Sequence, residues 1–224
     1  MAIAGDTVVV GARFDDVNGN DSGSVYVFRT TDGGATYSQV AKLTAADGAA
    51  GDKFGYSVAI DGDRVVVGVR YDDDGGTNSG SAYVFLDTLA PTPQPTHLPT
   101  QRTSSWPQLA KMVAGDAAAN DYFGGSVAAS GDLVAVGAYG DDDGGPNSGS
   151  VYILRMDSSA AGYTQLVKLT ADDATFGDNF GWSVAIDGDT VVVGAYYKNS
   201  RRGAAYVFRT SDGGATYAQV AKLT

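Results

Sequence analysis

The chain has 224 residues, with 15 Lys and Arg set against 26 acidic residues for a formal net charge of −11. Such an acidic surface argues against nucleic acid and anionic membranes as partners. No cysteine occurs and every acidic residue is Asp, which excludes thiol nucleophiles, disulfide frameworks, thiolate zinc sites and any chemistry resting on Glu.

One block recurs along the chain. It reads AIAGDTVVVGA from Ala2, FGYSVAIDGDRVVVGV from Phe54, FGGSVAASGDLVAVGA from Phe123 and FGWSVAIDGDTVVVGA from Phe180. A fixed period of about 57 residues marks a propeller or similar array, in which each unit buries its faces against its neighbours. The first copy opens directly on Ala2 and is expected to lack its first strand. Its later strands are Thr7–Ala12, a third run containing Tyr26, and YSQVAKL at Tyr37–Leu43. The second copy gives the full set of inner runs: GYSVAI (Gly55–Ile60), RVVVGV (Arg64–Val69) and SAYVFL (Ser81–Leu86). The fourth run returns as YTQLVKL from Tyr163 and YAQVAKL from Tyr217. These runs are short, β-branched and aromatic, and bounded by Gly, Asp, Asn and Ser, as strands are. Val65–Val67 and Val191–Val193 are apolar on consecutive positions, which predicts burial on both faces. Asp61-Gly62 and Asp187-Gly188 suit tight turns between the first and second strands.

The expected fold is all-β: a β-propeller of four four-stranded blades, the first incomplete. It is an open arc or part of a larger ring, with a closed four-bladed propeller as the alternative. Residues 1–224 form one region, with repeats at approximately 1–53, 54–122, 123–179 and 180–224. A Pro/Thr-rich insertion at 87–105 holds the only His, His97, and is expected to be a flexible surface excursion. The chain opens and stops out of phase with its repeat, so a piece of a longer array is expected, with self-association through the open ends.

Two resemblances follow from these motifs. TTDGGATY (Thr30–Tyr37) and TSDGGATY (Thr210–Tyr217) resemble the Asp box, a hairpin motif of sialidase-like and sortilin-like propellers. Asp32, Gly34 and Thr36, with Asp212, Gly214 and Thr216, are the residues concerned, and a turn staple is their expected role. The repeat as a whole resembles the FG-GAP family, the unit of integrin α-subunit propellers. Phe54-Gly55, Phe123-Gly124 and Phe180-Gly181 supply the FG. Gly11-Ala12, Gly68-Val69, Gly137-Ala138 and Gly194-Ala195 stand where the GA of GAP falls, and the proline is absent throughout. The resemblance implies a β-propeller with adhesive or ligand-binding duties outside the cell.

Repeats of the integrin type bind Ca²⁺ between the first and second strands, but here that loop is only Asp61–Asp63 or Asp187–Asp189. Six or more oxygens cannot converge from so short a turn. The acidic residues lie instead between the second and third strands: Asp15, Asp16 and Asp21; Asp72, Asp73 and Asp74; Asp141, Asp142 and Asp143. They read either as Ca²⁺ ligands or as builders of polar turns. The fourth copy has Lys198–Arg202 there and no acidic loop.

No catalytic residue is expected. His97 lies in the insertion and cannot serve a triad, and the aspartates recur from blade to blade as scaffold residues do. The expected function is a non-enzymatic binding or adhesion module, with no cofactor other than Ca²⁺. A protein or glycan ligand would sit on the face carrying the acidic loops. The alternatives are an architectural surface array, or the accessory propeller of a larger secreted hydrolase. No nucleic acid and no direct membrane insertion are expected.

Overall fold

The computed structural model describes residues 1–88, 105–157 and 162–224. Among these the chain forms four antiparallel four-stranded sheets, each running in strand order. Blade one holds β1 (Ala2–Ala4), β2 (Thr7–Ala12), β3 (Ser24–Arg29) and β4 (Ser38–Leu43). Blade two holds β5 (Ser57–Asp61), β6 (Arg64–Val69), β7 (Ser81–Leu86) and β8 (Gln108–Met112). Blade three holds β9 (Phe123–Ser130), β10 (Leu133–Ala138), β11 (Ser150–Asp157) and β12 (Gly162–Leu169). Blade four holds β13 (Phe180–Asp187), β14 (Thr190–Ala195), β15 (Ala204–Arg209) and β16 (Ala218–Leu223). The one helical element among the described residues is a four-residue turn, Lys198–Arg201, in which Asn199 and Ser200 have φ of 54° and 58°.

Two expectations need correction. The first strand of blade one is shortened rather than missing: Ala2–Ala4 pairs with Thr7–Val9. Gly5, at φ 51°, closes that hairpin so early that three residues suffice to form a strand. The hairpin loops of blades two and four are Gly62-Asp63 and Gly188-Asp189, because pairing extends to Asp61↔Arg64 and Asp187↔Thr190. Most of the Pro/Thr-rich segment, including His97, lies outside the described residues.

The core is three apolar clusters, one at each junction between consecutive blades. Val9, Val25 and Val27 of blade one meet Val65, Val67 and Phe85 of blade two. Val66 and Val84 then meet Val134, Val136 and Leu154, and Ala135, Val151 and Ile153 meet Val191, Val193 and Phe208. Alternate residues of each second strand thus face opposite neighbours, which is why that strand is apolar throughout. The arc is not closed. The free face of blade four leaves Val192 and Val220 exposed, and the start of blade one leaves Ile3 exposed.

The FG and GA glycines lock these junctions. A Cβ on Gly11, Gly68 or Gly137 would overlap the carbonyl oxygen of Gly55, Gly124 or Gly181 in the next blade. The phenylalanine of each FG pair also donates its N–H to the preceding blade's loop: Phe54 to Ser22 O, Phe123 to Ser79 O, and Phe180 to Ser148 O, at 2.8–2.9 Å. The two halves of the motif are therefore the two sides of one contact. Because strands alternate in direction, loops between second and third strands share a face with the segments joining blades. That face carries the acidic loops.

Candidate functional site

Each blade places a tyrosine of its third strand opposite a lysine of its fourth: Tyr26↔Lys42, Tyr83↔Lys111, Tyr152↔Lys168 and Tyr206↔Lys222. In blades one to three both side chains reach the acidic loop, and in blade four both reach Asp173 of the segment that precedes it. Tyr26 OH donates to Asp15 Oδ2 at 2.8 Å, where Lys42 Nζ also lies, at 2.9 Å. Tyr83 OH donates to Asp47 at 2.8 Å and Asp72 at 3.2 Å. Tyr152 OH donates to Asp116 and Asp141, both at 2.8 Å, and Tyr206 OH to Asp173 at 2.8 Å. Hydrogen bonds from Ser24, Lys42 and Tyr26 hold the Asp15 carboxyl well below the usual range. Burial pushes the Asp116 carboxyl up, but the hydrogen bonds from Lys168 and Tyr152 outweigh it and the net direction is down. Against the same opposing burial, Lys222 and Tyr206 bring Asp173 to about 2. Burial pushes the Tyr152 hydroxyl above its ordinary range, with Asp141 reinforcing the effect. It is a fixed donor at neutral pH.

The nine aspartates proposed from sequence divide by role. Asp15, Asp72, Asp74, Asp141 and Asp143 surround the lysines. Asp16, Asp73 and Asp142 turn away and accept the backbone N–H of Asp21, Asn78 and Asn147 at 2.6–2.8 Å, which closes each loop. Asp21 itself takes a left-handed corner at φ 54°. In blade three the carboxylate oxygens of Asp116, Asp141 and Asp143 lie within 4.8 Å of one another, a cluster that could hold a metal. Lys168 Nζ stands 2.6–2.7 Å from all three.

Sequence reasoning missed Lys42, Lys111 and Lys168 and their followers Asp47, Asp116 and Asp173. The signal was present: each lysine precedes its aspartate by five positions. That aspartate crosses into the next blade's cluster, so Asp47 pairs with Lys111 and Asp116 with Lys168. The polar clusters therefore also tie blades together.

Each segment joining two blades also carries a buried aspartate. Asp52, Asp121 and Asp178 accept the N–H of Ala49, Ala118 and Thr175, each at 2.7 Å. Burial raises Asp52, and it raises Asp121 to about 6, with Asp141 adding to the effect. Blade four differs. Lys198 stands where blade three has Asp141, and its Nζ lies 2.6 Å from Asp178 Oδ2 and 2.5 Å from the Asp173 carbonyl oxygen.

On the opposite face, Asp32 accepts the Thr36 N–H at 2.9 Å and its hydroxyl at 2.6 Å, while Gly34 N–H donates to Thr30 Oγ1 at 2.9 Å. Asp212, Thr216, Gly214 and Thr210 repeat the arrangement. These bonds close on the turns themselves.

Beside the acidic clusters, where second strands end and first strands begin, the side chains form a continuous aromatic rail. Ring centroids run Tyr56–Tyr71 (6.4 Å), Tyr71–Tyr122 (5.9 Å), Tyr122–Tyr139 (5.2 Å), Tyr139–Trp182 (4.8 Å), Trp182–Tyr196 (5.1 Å) and Tyr196–Tyr197 (4.7 Å). The Arg70 guanidinium lies 4.4–5.1 Å from four of these rings and donates to Tyr56 OH at 2.5 Å. Arg13 bridges Phe14 and Tyr56 at 4.8 and 4.9 Å, and so carries the rail into blade one. Such cation–π contacts stiffen the row as well as attract. Phe14, Trp182, Tyr196 and Tyr197 remain exposed.

Four blade-like sheets locked by Phe-Gly contacts define a β-propeller module. The FG-GAP repeat family model matches residues 1–28, 37–85, 106–154 and 163–208, and the chain belongs to that family. Three of these matches begin at or just before a fourth strand and run into the next blade, so they span the junctions described above. No curated protein matches the chain. Among the described residues, no helix is long and apolar enough to cross a membrane.

Proposed function

We propose that this module is a non-catalytic, extracellular ligand-binding propeller whose ligand, a neutral glycan, rests on the face that carries the acidic loops. The observation behind this reading is that exposed aromatic rings and carboxylates share one face. Phe14, Trp182, Tyr196 and Tyr197 offer flat apolar surfaces at one edge of the acidic loops. Ring faces carry a negative quadrupole and favour the polarised C–H groups of a sugar. The carboxylates and the Asn and Ser side chains of the loops supply acceptors for hydroxyl groups. The net charge of −11 disfavours anionic chains. The test is calorimetric titration with neutral and anionic oligosaccharides, with Trp182 fluorescence as a local reporter. Binding of a neutral chain, weakened by Trp182→Ala, is expected. No heat and no fluorescence change with any neutral oligosaccharide at millimolar concentration would leave a protein ligand as the reading of this face.

A second reading, Ca²⁺ at Asp116, Asp141 and Asp143, is favoured by the convergence of these carboxylates. The ion would have to displace Lys168 Nζ. Its test is a rise in Tm on adding Ca²⁺, reduced by Asp141→Asn with Asp143→Asn.

A further inference from the structure

We infer that the free face of blade four is a docking site for a further Phe-Gly repeat, an extended segment of the kind Asp-x-Phe-Gly-x-Ser-Val. The three internal junctions define what such a site looks like when filled. In each, a glycine of the second strand receives the next blade's FG carbonyl, and a left-handed glycine in the following loop lies against the next phenylalanine. Gly23, Gly80 and Gly149 hold φ of 83–85°, and a Cβ on any of them would overlap the phenylalanine backbone. A serine of the first strand completes the lock: Ser57 Oγ donates to Gly124 O, and Ser126 Oγ to Gly181 O, both at 2.8 Å.

Blade four keeps every part of this receptor with nothing seated in it. Gly194 has only its own blade's Ser183 as a near neighbour. Ser183 occupies the position of Ser57 and Ser126 and is exposed. Gly203 holds φ 79° although its loop is shorter and different in sequence, and its nearest neighbours are carbonyl oxygens of its own blade, at 3.6 and 3.8 Å. The side chains agree. Val9, Val66 and Ala135 share one position and are 0% exposed, whereas Val192, at the same position, is 36% exposed. Tyr139 is 7% exposed beneath the following blade, and its equivalent Tyr196 is 54% exposed. Arg201 and Arg202 make the rim basic in an otherwise acidic protein, which suits the aspartate two residues before each FG pair, as at Asp52, Asp121 and Asp178. The site is thus continuous in shape with three established interfaces, and its occupant is a repeat of the same chemistry. A docked repeat would cover Tyr196 as the following blade covers Tyr139, so it would compete with a glycan for that ring and leave Phe14 free.

The absence of native cysteine allows a direct test. Val192→Cys is labelled with a bulky maleimide in the chain itself and in the chain extended after Thr224 by a second copy of residues 171–224. The junction reproduces the natural Thr170–Ala171 step. Labelling in the extended chain is expected to slow by about tenfold or more, the effect of roughly 1.4 kcal/mol of docking. A third form carries Phe180→Ala and Gly181→Val in the appended copy alone, and it should label as fast as the unextended chain. If Val192→Cys disturbs folding, Val207→Cys on the same face gives the same comparison. Equal labelling with intact and altered appended copies overturns the inference. So does concentration-dependent protection of the unextended chain, which would show that a second copy covers the face.

Discussion

Replacing Lys168 with Met tests whether the ammonium acts as the cation of the blade-three cluster. Its Nζ lies 2.6–2.7 Å from Asp116, Asp141 and Asp143. The Asp141 side chain is buried, and the other two are about half exposed. Breaking a buried pair by removing one partner costs about 3–5 kcal/mol, because the remaining charge stays desolvated. The two exposed carboxylates add about 0.5 kcal/mol each, since water and salt screen them. Lys168→Met is therefore expected to lose about 4 kcal/mol at pH 7, measured by urea unfolding with Trp182 fluorescence. The vacated carboxylates should also gain affinity for a divalent ion. At a concentration 100 times its Kd, Ca²⁺ would restore about 2.7 kcal/mol. The variant's response to Ca²⁺ should exceed that of the native chain in a NaCl control of equal ionic strength. A loss below about 1 kcal/mol, the range of an exposed pair, or an identical Ca²⁺ response in both proteins would refute the reasoning.

Asp121 gives a prediction of opposite sign. Its folded pKa of about 6 lies above the ordinary 3.8, so the stability it lends is full below 3.8 and is lost as pH rises through 6. Asp121→Asn should gain roughly 3 kcal/mol above pH 6, as two pK units imply, and nothing below 3.8, in urea titrations across pH 3–8. Asp173, lowered to about 2, works the other way: its contribution is present above 3.8 and lost as pH falls through 2, so Asp173→Asn should flatten the acid limb of the same profile. Gly68→Ala and Gly194→Ala form a matched pair. The first drives a methyl group into the Gly124 carbonyl and should cost about 3 kcal/mol, as overpacking does. The second meets only Ser183 Oγ, which can rotate away, and should lower Tm far less.

Much of the fold was legible because each blade repeats the same physical demand. A second strand buried on both faces must be apolar at every position, and Val65–Val67 announce that from sequence alone. The strand runs were readable to within a residue or two for the same reason. The shortened β1 was not. Three residues carry no period, and only the turn at Gly5 shows that they pair. The division of labour within Asp72–Asp74 and Asp141–Asp143 was also hidden. Adjacent carboxylates look alike in sequence, while backbone direction sends the first and third to a lysine and the second to an amide.

The aromatic rail shows a different limit. Tyr56 and Trp182 share one repeat position, but Tyr71, Tyr122 and Tyr139 each stand at a different one, and Gly125 interrupts the first, so aligning the copies does not reveal the row. They meet only because the end of each second strand lies beside the start of the next blade's first strand, a proximity created by the FG contact. The same contact explains why the acidic and aromatic features share a face: both follow directly from the point where the GA glycine ends its strand. In this chain the short family motif therefore does two things. It fixes how one blade seats on the next, and it sets which side chains converge on the loop face. A substitution at Gly68 should for that reason disturb the rail through Tyr56 and Tyr122 as well as the core. A change at Asp32, on the other face, should leave ligand binding untouched.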